Sequence, residues 1–121
     1  MFKTVLLIKF RDDVDREEAR RNWRTKHAEI TISSPGVRRY VQNHWTSPID
    51  GVPALFDGSV EIWTDDEAAF RALNADPEMF DDAVQFFDLS GAAGAAVTQY
   101  VLHSDLRDDE LAELTRPDRR P

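Results

Sequence analysis

Three features of this chain predict an α+β fold with the element order β-α-β-β-α-β. Four short runs, at residues 3–10, 35–45, 57–63 and 97–103, are apolar or alternate with period two, as strands do. Two helical stretches, each behind a capping signal, separate the first strand from the second and the third from the fourth. Only a loop rich in Pro, Gly and Asp, residues 47–53, divides the middle two strands. This is the split pattern of a ferredoxin-like sandwich, an antiparallel sheet with helices on one face. Its other face, carrying Val, Leu and aromatic side chains, needs a cover, and a second copy of the chain is the simplest one.

The elements follow in order. Residues 3–10 are mostly apolar and form the first strand. Asp15 with Glu18 resembles a capping box and opens a helix to about Ile30. Thr31, Ile32, two serines and Pro35-Gly36 then close it into a turn. The second strand, PGVRRYVQNHW, sends Tyr40, Gln42 and His44 to one face and Val41, Asn43 and Trp45 to the other. In the third, Val60 and Ile62 alternate with Glu61 and Trp63. Thr64 with Glu67 matches a capping box and starts a short helix through Leu73. Asp76-Pro77 opens another, with Phe80, Ala83, Val84 and Phe87 at i, i+3, i+4 and i+7. A Gly/Ala-rich link, residues 90–96, leads to the last strand at 97–103. One domain thus spans residues 1–104, and residues 105–121 form a charged, loosely held tail with one helical turn around 109–114.

Composition narrows the functions open to such a domain. The 121 residues are too few for two domains, and the 41% hydrophobic content is that of a globular chain. A net charge of −8 argues against nucleic acid, whose phosphates it would repel. No N-terminal apolar run is long enough for a signal peptide or membrane span, so a cytoplasmic protein is expected. The absence of cysteine excludes disulfides, thiolate metal sites and a Cys nucleophile.

Polar groups at period two in the second strand are unlike a strand buried for stability alone, since unpaired buried polar groups are costly. They fit either a wet pocket or a solvent-facing strand. His27 shares a helix stripe with Ala19, Trp23 and Ile30, which turns it inward, away from Arg16, Arg20 and Arg24. An inward imidazole facing Tyr40 and His44 suits proton transfer near neutrality, or equally a core histidine held by backbone carbonyls. Tyr40 and His44 suit a pocket that polarises a carbonyl, or a tethered core tyrosine and an exposed strand-end histidine. Trp23, Trp45 and Trp63 suit an apolar ring-binding cleft or simply the core. His27, His44 and His103 lack metal-ligand spacing, so no metal is expected. SGAAGAA is no nucleotide-binding fingerprint. The acidic runs at 65–67 and 81–82 read as helix N-termini and solvated faces.

Across residues 3–103 the chain resembles the EthD-like family of small dimeric α+β barrel proteins. PGVRRYVQNH carries the resemblance, with NWRTKHA and DGSVEIWTDDEAAF in the same order. The resemblance implies a ferredoxin-like fold whose two copies pack sheet against sheet, with a pocket between each sheet and its helices. Relatives include cofactor-free isomerases of methyl-substituted muconolactones, dehydratases and decarboxylases of polyketide pathways, and accessory proteins of ether degradation. It places His27 on the family's helix histidine and Tyr40 on the strand tyrosine facing it, with Asn43 and His44 completing YVQNH. Glu29 stands where the family has proline, which lets the helix run on and brings a carboxylate toward the pocket mouth. The cysteine of the family's isomerases is missing, which counts against a muconolactone substrate.

The sequence thus leads to a cofactor-independent lyase or isomerase, acting by proton transfer on a small oxygenated ring compound. His27 would be the general acid/base, Tyr40 and His44 would polarise the substrate, and Trp23, Asn43 and Trp63 would shape the pocket. His27 and Tyr40 are expected within direct or one-water hydrogen-bond reach. The alternatives are a non-catalytic module sheltering a small ligand and a monooxygenase on the same barrel. A homodimer is expected, with a small-molecule substrate and no metal, cofactor, nucleic acid or membrane.

Overall fold

A computed structural model of the chain describes residues 1–115. Strands β1 (Phe2–Ile8), β2 (Val37–His44), β3 (Gly58–Thr64) and β4 (Ala93–Ala96) form one antiparallel sheet in the order β2-β3-β1-β4. The first helical stretch has three parts: α1 (Arg16–Asn22), a π turn (Trp23–His27) and α2 (Ala28–Ile32). The second consists of α3 (Glu67–Ala75) and α4 (Pro77–Phe86). A final helix, α5 (Asp108–Thr115), follows a stretch without regular secondary structure. The fold is the ferredoxin-like α+β sandwich expected from the sequence.

Local signals place the helices. The Asp15 carboxylate accepts from the Glu18 amide and starts α1. Pro77 sits in the first turn of α4, and Asp76 caps it by accepting from the Glu78 amide. For α3 the cap is Asp66, not Thr64. Thr64 is fully buried and donates to the Asp66 carbonyl, while the Asp66 carboxylate takes the Ala69 amide. Nor does the first helical stretch stop at Ile30. Thr31 and Ile32 remain helical because the Thr31 hydroxyl bonds back to the His27 carbonyl and its side chain is buried. The helix therefore runs on through Glu29, which stays on the exposed side.

The last strand corrects the sequence reading. It lies at Ala93–Ala96, inside the segment expected to be a link, and pairs Thr4 with Ala96 and Leu7 with Ala93. Packing explains the shift. Gly94 stands opposite Leu6, and a Cβ there would collide with the Leu6 side chain and lie 3.0 Å from the Val5 carbonyl. Only a Gly/Ala strand comes that close to β1, so fit overrides β propensity. The pairing ends as Val97 donates to the Lys3 carbonyl at 2.9 Å. Tyr100, Val101 and Leu102, expected within a strand, are exposed and unpaired in the sheet. In the tail, the single helical turn expected at 109–114 is the eight-residue α5. The rest of the tail, 116–121, lies outside the described residues.

Between sheet and helices sits a core of Phe10, Ala19, Trp23, Val60, Ile62, Leu73 and Phe87. Trp23 is its centre, fully buried and edge-on to both Phe10 and Phe87 at about 6 Å. Among the described residues no helix packs on the outer face of the sheet, where Val5, Leu7, Val41 and Trp63 are half-buried. Lys3 and Arg39 lie over the Trp63 ring at 4.2 and 4.8 Å. No described helix is long and apolar enough to cross a membrane.

Candidate active site

A cleft of about 870 Å³ opens between β1, β4, α3 and α4. Its walls are largely apolar, with Leu6 and Ile8 from the sheet, Phe70, Met79 and Ala83 from the helices, and Phe87 behind them. The size and lining are those of a pocket for a small organic molecule.

His27 lines this cleft. It ends the π turn, a distortion that recurs at functional sites because it re-aims side chains within a helix. The Thr25 hydroxyl takes the Arg21 carbonyl at 2.7 Å, competing with the regular backbone ladder there. His27 is only 7% exposed and meets the Phe87 ring edge-on at 5.1 Å. Its Nδ1 lies 2.9 Å from Oδ2 of Asp82 on α4. A carboxylate oxygen accepts, so this contact fixes the tautomer with the proton on Nδ1 and leaves Nε2 as the nitrogen open to a ligand. Burial pushes the imidazole below its ordinary pKa, and the Asp82 carboxylate opposes part of that shift. At neutral pH the ring is therefore a neutral base whose protonated form has a counter-charge waiting.

Asp82 is the residue that sequence reasoning missed. Assigned to a solvated acidic run, it is instead 3% exposed. Besides His27 it accepts from Asn22 Nδ2 at 3.1 Å, and Lys26 Nζ lies 3.5 Å from its other oxygen. The signal was present: Met79, Asp82, Ala83 and Phe86 fall at i, i+3, i+4 and i+7, which puts the carboxylate on the inward stripe.

The other expected site residues lie elsewhere. Tyr40 and His44 face the helices but not the cleft. The Tyr40 hydroxyl accepts from Gln42 Nε2 at 3.0 Å, and burial pushes its pKa up against the opposing effect of its hydrogen bonds. No direct hydrogen bond joins it to His27 among the described residues. His44 packs on the Trp23 ring at 4.2 Å and donates from Nε2 to Gln42 Oε1 at 2.8 Å. Gln42 in turn holds the Trp23 carbonyl at 2.6 Å, so Tyr40, Gln42 and His44 brace the π turn from behind. Trp23 itself is core. Asn43 and Trp63 are on the opposite face of the sheet, where Asn43 donates to Ser59 and Glu61. Strand alternation is the reason: residues 40, 42 and 44 face the helices, and 39, 41 and 43 cannot. Among the described residues no group of three or more His, Asp or Glu gathers as a metal site would require.

His44 gives the fold an acid sensitivity. Burial, with Arg20 and Arg24 nearby, pushes its pKa from the ordinary 6.5 down to about 4. The unfolded chain therefore takes up this proton first as pH falls. The stability His44 contributes is complete above pH 6.5 and is lost progressively toward about 4. His27, also shifted down, acts in the same direction. Melting temperatures between about pH 7 and pH 5 should fall, and fall less steeply in His44→Phe, which keeps a ring on Trp23. Equal slopes in the two proteins would show that His44 titrates normally.

A helix-backed antiparallel sheet with a small-molecule-sized cleft between its layers defines a ferredoxin-like α+β protein. The chain belongs to the EthD family, whose domain matches residues 11–90. No curated protein matches it. Solved structures share the fold at low identity. A protein of the ethyl tert-butyl ether D (EthD) family from Bacillus halodurans is 16% identical with a TM-score of 0.63, covering 83% of this chain and 100% of that one. A dimeric ferredoxin-like protein of unknown function from Thermobifida fusca is 14% identical with a TM-score of 0.60, covering 81% and 90%. A mutant of SnoaB, a cofactor-independent oxygenase from Streptomyces nogalater, is 15% identical with a TM-score of 0.58, covering 84% and 98%.

Proposed function

We propose that the protein is a cofactor-independent lyase or isomerase that moves a proton on a small, oxygenated, largely apolar ring compound such as a lactone, a hydroxylated aromatic or a polyketide fragment. One observation carries the reading: a buried, neutral histidine in the wall of an apolar cleft, held by a buried carboxylate on its far nitrogen. His27 Nε2 takes a proton from the carbon next to a carbonyl, and Asp82 stabilises the imidazolium that forms. Return of the proton to another carbon completes an isomerisation. Its delivery to a departing oxygen completes an elimination. Tyr40 and His44, engaged beneath the helix, keep the π turn in place instead of touching substrate.

Solvent exchange tests this reading. Butenolides and dihydroxyaromatics incubated with the protein in deuterium oxide should take up deuterium at the acidic carbon, and the uptake should vanish in His27→Ala. Binding without exchange across the panel would make the cleft a non-catalytic shelter. Similarity to SnoaB favours one further reading, in which the same base deprotonates a phenol that then reacts with dioxygen. Substrate-dependent oxygen consumption would select it.

We further propose that two copies pair through the uncovered face of the sheet. Val5, Leu7, Val41 and Trp63 supply its apolar strip, and the Thermobifida fusca relative is described as dimeric. An interface of roughly 1,600 Å² in total is expected. Sedimentation at micromolar concentration should give twice the chain mass of 13.9 kDa, and a monomer there would refute the pairing.

A further inference from the structure

Thr4 stands mid-strand in β1, opposite Ile62 on one side and Ala96 on the other. Along this face of the strand its neighbours are Phe2, Leu6 and Ile8, all apolar, and all four residues line the cleft that holds His27. Thr4 is 3% exposed, and its Oγ1 has no hydrogen-bond partner among the described residues. Valine has the same branched shape, at least equal strand propensity and no hydroxyl to desolvate. For folding alone, valine is the better residue. The chain thus keeps a group that burial penalises, in the wall of the cavity where a ligand would relieve the penalty.

We propose that Thr4 is a ligand-binding residue, its hydroxyl donating a hydrogen bond to a carbonyl or phenolic oxygen of a ring compound seated against His27. Oγ1 is itself shut off from solvent, so binding requires a change of χ1 rotamer that turns the hydroxyl toward the cleft. In an apolar cavity one such donor fixes orientation, because other positions of the oxygen leave it without a partner. This inference shares with the proposed function only the premise that the cleft holds the ligand.

Thr4→Val and Thr4→Ser separate a binding role from a structural one, with 2-naphthol and naphthalene as probes followed by fluorescence and by NMR titration. The wild-type protein should prefer 2-naphthol. Thr4→Val should weaken 2-naphthol by about 3–10-fold, the worth of one ordinary hydrogen bond, and leave naphthalene within about twofold. It should also melt higher than the wild type, while Thr4→Ser restores the preference. A Thr4→Val protein that melts at or below the wild-type temperature would overturn the proposal, because the hydroxyl would then have a partner within the fold. So would a wild type that binds neither probe or shows no preference, or a variant that loses both probes alike. The preference for 2-naphthol and its loss in Thr4→Val are read from binding alone, so absence of deuterium exchange in the wild type would sink the proton-transfer reading and leave this result standing.

Discussion

His27→Ala should lower turnover by about 10²–10⁴-fold, the usual contribution of a general acid/base, with circular dichroism unchanged. The size of the effect rests on geometry. Nδ1 is fixed by Asp82 at 2.9 Å, so Nε2 meets a ligand in one tautomer and one orientation. Because burial holds the ring below the ordinary 6.5, the acid limb of the rate profile should fall below that pH. Removing the imidazole also leaves the Asp82 carboxylate buried with fewer partners, at a cost of about 1–3 kcal/mol. His27→Gln, which keeps a donor near Asp82, separates lost chemistry from lost stability. Asp82→Asn tests the positioning role: it should lower kcat with little change in KM and move the acid limb, since the imidazolium loses its counter-charge. Turnover in His27→Ala within threefold of wild type, roughly, would remove the histidine from the mechanism.

Trp23→Ala should destabilise the domain by about 3–5 kcal/mol and lower its melting temperature by roughly 10–20 °C. The side chain is fully buried and lies among Phe10, Phe87 and His44, so alanine leaves a cavity that three rings must close over. The packing is tight on the strand side as well. A methyl group added at Gly58 would lie 2.6 Å from the Trp23 ring, so Gly58→Ala should be destabilising by the opposite defect, overpacking. Urea unfolding checks both: the midpoint should drop with the slope unchanged. A loss below about 1 kcal/mol for Trp23→Ala would show that the ring does not organise the core. Since Trp23 and His27 bound the same π turn, residual Trp23→Ala protein should also be impaired in turnover.

Periodicity made much of this molecule legible. Val60 and Ile62 at period two, and Ala19, Trp23, His27 and Ile30 at helical spacing, are all buried as their patterns require. Caps at Asp15 and Asp76 act on neighbouring amides and were readable for the same reason. Such signals are local, set by the geometry of one strand or one helical turn. They sufficed for the α+β class, the element order, and the inward face of His27.

What the sequence by itself determined, then, was which side chains turn inward and where most elements start. Tertiary structure decided which of those side chains meet. His27 finds Asp82 fifty-five positions away, on a helix whose acidic run looks solvated until α4 is laid beside the π turn. The fourth strand was settled likewise, because β1 accepts a Gly/Ala strand that fits against Leu6 in place of the stretch with the higher β propensity. Tyr40 and His44 shared a face with the cleft in the sequence pattern, yet the lateral order of the sheet sets β2 at the edge away from β4 and leaves them under Trp23. Alternation specifies a face, but only the order of strands and the register of their pairing specify a neighbour.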